Sequence, residues 1–270
     1  MMENYVTQGR TDLLQAVRTL PGANDLQGRS RTCVRDRKPF EMAGQIPVDY
    51  NHLWAELERR LELRSAQEVE AGAPISKSGN CVLGVTSAVK GEGKTTTAIN
   101  LAAAVVENTW FRVCLVDLSL TGDEIGRLHG IECGGAGINH VLESVHSVAD
   151  FANAVRSFKL ENFGGLTIIP AGEAALNAAK IARSPNLSDL IAHLRSQFDL
   201  IIVDMPAVSS GDALPIAAQT DGVVLVTRAG ATPVSEVQAA IEKVGRDSIL
   251  GLVLNRVKFS GPEWLRKRLS

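Results

Sequence analysis

Cys81-Val-Leu-Gly-Val-Thr-Ser-Ala-Val-Lys-Gly-Glu-Gly-Lys-Thr-Thr-Thr97 decides the fold. Cys81–Thr86 reads as an apolar strand, and Lys94–Asn108 as a helix. Between them lies a turn holding Gly91 and Gly93. Strand, glycine turn, Lys-Thr and helix are the context that a phosphate-binding loop requires. The glycines let backbone N–H groups converge on an anion without side-chain obstruction. The helix starting near Lys94 aims its positive dipole end at the same point. Lys94 can reach the β- and γ-phosphates of ATP, and Thr95 offers a hydroxyl to Mg²⁺. The loop is Ala88–Thr95. The residues assigned to the nucleotide here are Ala88, Val89, Lys90, Gly91, Glu92, Gly93, Lys94, Thr95 and Thr96. The common pattern begins with Gly, whereas this loop begins with Ala88. A glycine turn with a surface lysine is the plainer alternative. It does not explain why Lys-Thr opens a helix directly behind an apolar strand.

Outward from the loop, strand-like runs alternate with helical ones. Strands are expected at Arg112–Asp117, Leu166–Pro170, Leu200–Asp204, Val223–Thr227 and Ile249–Asn255. Helices are expected at Leu187–Gln197 and Val234–Val244, with two or three helical pieces running to about Phe158. This alternation predicts an α/β fold, a doubly wound and mostly parallel sheet with helices on both faces.

Two acids end apolar strands. Asp204 closes Leu200-Ile-Ile-Val-Asp204, as expected for the carboxylate that holds a magnesium-bound water. Asp117 closes Val113-Cys-Leu-Val-Asp117. In an open parallel sheet the C-terminal strand ends line the ligand crevice. Both carboxylates are therefore expected to face the phosphates, with Thr95, Asp117 and Asp204 as metal-supporting groups. Lys94, Asp117 and Asp204 are the candidate catalytic residues. An aspartate at a strand end also serves as a turn former, and that reading stays open for Asp117. Ser119 is expected on the same side as Asp117, because residues two apart share a face while the chain is extended.

The chain divides into a mobile segment over 1–48, a helix and linker over 49–79, and the ATP-binding α/β domain over 80–270. The basic stretch Arg29–Lys38 reads as solvated, and a short helix is conceivable at Leu13–Leu20. Tyr50–Glu70 reads as an N-terminal helical extension. Leu53, Trp54, Leu57 and Leu61 make one apolar stripe along it. The stripe serves either to pack on the main domain or to meet another subunit.

The 270 residues are 45% hydrophobic, enough for one large α/β domain. A net charge of −2 argues against a dedicated nucleic-acid binder. No apolar run reaches the ~20 residues that span a bilayer, and the N-terminus lacks a signal pattern. A cytoplasmic protein is expected, with any place at the inner membrane gained through a partner. Cys33, Cys81, Cys114 and Cys133 form no Cys-x-x-Cys pair and read as reduced thiols.

With these residues in hand, residues 50–257 resemble the bacterial tyrosine kinases of capsule and exopolysaccharide synthesis. These belong to the deviant P-loop ATPases that include MinD and ParA proteins. Thr86–Thr97, Asn100-Leu-Ala, Val116-Asp117, Pro170-Ala-Gly172 and Asp199–Pro206 match in order. Asp212-Ala-Leu, Asp221-Gly222, Arg228-Ala-Gly230 and Gly251–Asn255 continue the match. The resemblance implies that Asn255 meets the adenine and that Arg228 lies near the nucleoside. It also implies ATP and Mg²⁺ as cofactors, a homo-oligomer, and a polysaccharide chain-length regulator at the inner membrane as partner.

Four departures matter. Ser119 stands where the kinases carry a second acid, and Thr121 where they carry Arg. The kinases end in a tyrosine-rich tail, whereas the tyrosines here are Tyr5 and Tyr50 alone. The MinD/ParA signature lysine falls at Val89, with Lys90 one position later. Phosphotransfer from MgATP to tyrosine or water is the first reading. The alternatives are an ATP-switched regulatory protein of polysaccharide export and a MinD-like positioning ATPase.

Overall fold

A computed structural model of the chain describes residues 49–70, 80–122, 125, 137–144, 158–160 and 166–257. The expectations for Leu13–Leu20, Arg29–Lys38, Cys33 and Cys133 fall outside them. Helix α1 (Tyr50–Glu70) comes first, followed by β1 (Cys81–Ser87), α2 (Lys94–Asn108) and β2 (Val113–Asp117). Next are α3 (Ile138–Ser144), β3 (Phe158–Leu160), β4 (Leu166–Ile169), α4 (Ala178–Ala182) and α5 (Pro185–Arg195). The rest is β5 (Leu200–Asp204), α6 (Ala213–Ala217), β6 (Gly222–Arg228), α7 (Val234–Val244) and β7 (Ile249–Asn255).

The strands form one seven-stranded sheet in the order β3-β4-β2-β5-β1-β6-β7. Six strands run parallel, and β3 joins the edge antiparallel to β4. Strands β2 and β5 are buried at every residue. Their unbroken apolar runs follow from helices covering both faces. One face packs Val116, Val203 and Leu225 against Leu190 of α5 and Ile216 of α6. The other packs Leu83, Leu115 and Ile202 against Leu101 of α2 and Trp54 and Leu57 of α1.

Helix α1 belongs to this second core. Asp49 Oδ1 accepts from the N–H groups of Asn51 and His52, satisfying donors of the first turn. Trp54 and Leu57 are buried, while Leu53 and Leu61 pack at the margin. Arg60 Nη1 donates to the Leu250 carbonyl at 2.6 Å and ties the helix to β7. On the solvent side, hydrogen bonds from Arg59 and Arg60 hold the Glu56 carboxyl down to about 2. Of the two uses open to the apolar stripe, the structure shows packing on the domain.

Four elements differ from the sequence expectation by more than a residue. Phe158–Leu160 begins an edge strand where helical pieces were expected to end. Helix α5 starts two residues early, because Ser184 Oγ accepts from Asn186 N–H and Pro185 occupies the first turn. The short helices α4 and α6 lie in stretches read as connections. At the end remote from the loop, Arg112 clamps Asp199 through Nε at 3.0 Å and Nη2 at 2.8 Å. Burial raises the Asp199 pKa, and the bonds and charge of Arg112 outweigh it, holding the carboxyl below its usual range.

Candidate functional site

The turn between β1 and α2 crosses the C-terminal edge of the sheet. Ser87 Oγ donates to the Val89 carbonyl, and Ser209 N–H donates to the Ala88 carbonyl, which anchors the turn at its start. Gly91 and Gly93 take φ of 86° and 98°, left-handed values that side chains rarely adopt. Gly93 has a second reason. A Cβ there would come 2.1 Å from Asn255 Nδ2.

Helix α2 begins at Lys94, with Gly93 as its N-cap and no side chain capping the first turn. Its first N–H groups have no intrahelical acceptor, the condition for anion binding at a helix start. Lys94 and Thr95 are both buried there. Lys94 Nζ lies 3.8 Å from Asp204 Oδ1 and 3.4 Å from Thr95 Oγ1. Thr95 Oγ1 donates to Asp204 Oδ2 at 2.6 Å. Asp204 is fully buried at the end of β5, in register with Val85 of β1 and Asp117 of β2. The sheet thus brings together the lysine, hydroxyl and carboxylate assigned from sequence.

Asp117 shares the face of Asp204, since register partners on parallel strands point the same way. Its carboxylate also has a turn-forming role. Oδ1 accepts from Ser119 N–H at 3.0 Å, and Oδ2 accepts from Ile125 N–H at 3.3 Å. Ser119 is not carried by strand alternation, because β2 ends at Asp117 and Leu120 turns to φ 62°. Its buried hydroxyl donates to the Gly122 carbonyl at 3.1 Å.

The remaining loop residues separate into two groups. Lys90, Gly91 and Thr96 are exposed at the mouth. Val89 N–H turns inward and donates to Glu92 Oε2 at 2.8 Å. Glu92 is buried, and its Oε1 accepts from Arg228 N–H at 3.0 Å and from the Thr232 hydroxyl. Asn255 Nδ2 donates to the Glu92 carbonyl at 2.9 Å, and its Oδ1 accepts from Arg256 N–H. Arg228 presents an exposed side chain beside them. Sequence reasoning grouped Glu92 with the nucleotide contacts and missed its bracing role. The available signal was its charge, since an acid between two glycines of an anion-binding loop has to turn away from the anion.

A magnesium ion fits this donor set. The Thr95 hydroxyl and Asp204 carboxylate are hard oxygen donors already adjacent, and Mg²⁺ sites commonly use one or two such groups together with substrate phosphates. Among the described residues no group of three or more His, Cys, Asp or Glu is placed to hold a metal by itself.

Residues 79–267 match the family described as ParA, NUBPL iron-transfer P-loop NTPase. The chain belongs to the ParA family of P-loop NTPases. Within it, the chain groups with the bacterial tyrosine kinases. It is 31% identical over 183 residues to the tyrosine-protein kinase CpsD of Streptococcus pneumoniae serotype 4, covering 66% of this chain and 77% of that one. It is 27% identical to the succinoglycan biosynthesis transport protein ExoP of Rhizobium meliloti, covering 84% of this chain but 28% of ExoP. The VpsO kinase domain superposes with a TM-score of 0.59 at 26% identity, over 78% of this chain and 100% of that domain. Membership of a P-loop NTPase family implies nucleotide binding. Among the described residues, no helix is long and apolar enough to cross a membrane.

Proposed function

We propose that the chain is a MgATP-dependent phosphotransferase or ATPase of the bacterial tyrosine-kinase group, serving exopolysaccharide or capsule synthesis and export. The observation that carries this reading is the convergence of Lys94, Thr95 and Asp204 at the start of α2. The N–H groups of the loop and first helical turn bind phosphate oxygens. Lys94, held near Asp204, offsets charge on the transferring phosphoryl group. Thr95 and Asp204 would hold Mg²⁺, Asp204 through water, and such an ion would supply positive charge to neutralise the phosphates. Asp117, on the same face, is the remaining carboxylate available to orient an attacking hydroxyl. That acceptor is tyrosine or water. Arg228 and Asn255, at the ends of β6 and β7, flank the nucleoside side. The setting is the cytoplasm, beside a polysaccharide chain-length regulator at the inner membrane, with self-association of the chain.

Lys94→Ala tests the reading directly. MgATP affinity measured by calorimetry is expected to fall at least tenfold, about 1.4 kcal/mol. Radiolabelled ATP should lose its γ-phosphate to protein or water with wild type and not with the variant. Unchanged binding in the variant, or no binding by wild type, sinks the reading.

A further inference from the structure

Glu92 poses a problem that phosphate binding does not solve. It places a carboxylate inside a loop built to attract anions, and only 1% of the residue is exposed. A buried carboxylate is tolerated where donors surround it. Here the donors come from two separate places. Val89 N–H belongs to the loop itself. Arg228 N–H ends β6 and the Thr232 hydroxyl lies in the turn that follows it, 136 and 140 residues away in sequence. The Glu92 carbonyl completes the connection by accepting from Asn255 at the end of β7.

That turn occupies a defined side of the crevice. Strand β1 feeds the loop, with β5 and β2 on one flank and β6 and β7 on the other. The first flank carries Asp204 and Asp117, and suits a metal and the outer phosphates. The nucleoside must then leave toward the second flank, where Arg228, Thr232 and Asn255 stand. The Glu92 side chain therefore spans from the phosphate loop to the nucleoside side.

We propose that Glu92 is a positioning residue that locks the phosphate loop to the Arg228–Thr232 turn, so that the nucleoside end of the ligand stabilises the loop's grip on phosphate. The proposal rests on the reading of Ala88–Thr95 as a nucleotide loop. A carboxylate is required for it. Oε2 accepts on one side while Oε1 accepts two donors on the other. A glutamine satisfies one side and turns its NH₂ donor toward donors on the other.

The test compares MgATP with magnesium tripolyphosphate, which keeps the phosphates and lacks the nucleoside. Both are titrated calorimetrically into the full chain as wild type, Glu92→Gln and Thr232→Val. Wild type should bind MgATP more tightly than tripolyphosphate. Glu92→Gln should weaken MgATP about tenfold and tripolyphosphate far less, so the advantage of the nucleoside shrinks. Thr232→Val removes one donor and leaves the carboxylate in place. It should act in the same direction by about threefold, and it carries the comparison if thermal melting shows Glu92→Gln unfolded. Equal losses for both ligands would make Glu92 a local brace of the loop and overturn the coupling. No loss for either ligand would overturn it as well. Failure of wild type to bind MgATP would strike the nucleotide reading itself.

Discussion

The hydroxyl of Thr95 donates to Asp204 Oδ2 at 2.6 Å, joining the first turn of α2 to the end of β5 across 109 residues of sequence. Both groups are buried, so the bond between them replaces one that water would otherwise supply. Thr95→Val preserves shape and removes the donor. The expected result is a loss of about 1–3 kcal/mol of stability, because the carboxylate stays buried. ATP affinity should also lose most of its dependence on Mg²⁺. Titrating Mg²⁺ at fixed ATP measures this, and an unchanged Mg²⁺ requirement would remove Thr95 from the metal site.

Helix α1 is predicted to be indispensable to the fold. Leu57 is 1% exposed and packs into the core beneath α2 and β7. Leu57→Ala should cost about 2–5 kcal/mol in urea unfolding. Glu56→Gln, on the exposed side of the same helix, should leave the urea midpoint almost unchanged. Deleting residues 1–70 should leave an unstable domain, because Trp54 and Leu57 would no longer cover α2. A stable, soluble deletion product would show that the stripe serves a detachable arm.

Much of this architecture could be read from the residues. Lys94–Asn108, Leu200–Asp204, Val234–Val244 and Ile249–Asn255 hold to the residue. Each is a long periodic or unbroken apolar run, and α7 is bounded by Pro233 and Gly245. The three residues of β3 are too few to show a period, and their pairing depends on β4. Lys94, Thr95 and Asp204 were legible because strand ends and a helix start fix them in space. The bracing role of Glu92 was not legible, because its donors come from Arg228 and Thr232, far along the chain. Strand alternation does not by itself place Ser119, for a local reason. Alternation holds only while the chain is extended, and the turn through Leu120 ends it.

Any autophosphotyrosine within these 270 residues must lie on Tyr5 or Tyr50, the two tyrosines they contain. Tyr50 opens α1 and packs partly against the core, which restricts its approach to a neighbouring loop. Low or no occupancy is expected after incubation with MgATP, read by mass spectrometry. Rapid, near-complete phosphorylation at either site would show that the protein acts as its own tyrosine substrate.

Ser119 stands where the related kinases carry a second acid. Ser119 is buried, and its hydroxyl donates to the Gly122 carbonyl. An aspartate there would exchange a donor for an acceptor and bring a second carboxylate close to Asp117. Without ligand, Ser119→Asp should therefore lose about 1–3 kcal/mol of stability, since a buried acceptor faces a carbonyl with no proton between them. A nearby cation reverses that balance, because it favours the charged carboxylate. MgATP should raise the melting temperature of Ser119→Asp by more than it raises that of wild type. Turnover of ATP should rise, and rise again in Ser119→Asp/Thr121→Arg, which restores the kinase pattern at both positions. Steady-state hydrolysis at saturating Mg²⁺ and melting with and without MgATP provide the two measurements. Equal turnover in all three proteins, with equal stabilisation by MgATP, would place residue 119 outside the chemistry. The hydroxyl would then serve only to close the turn through Gly122.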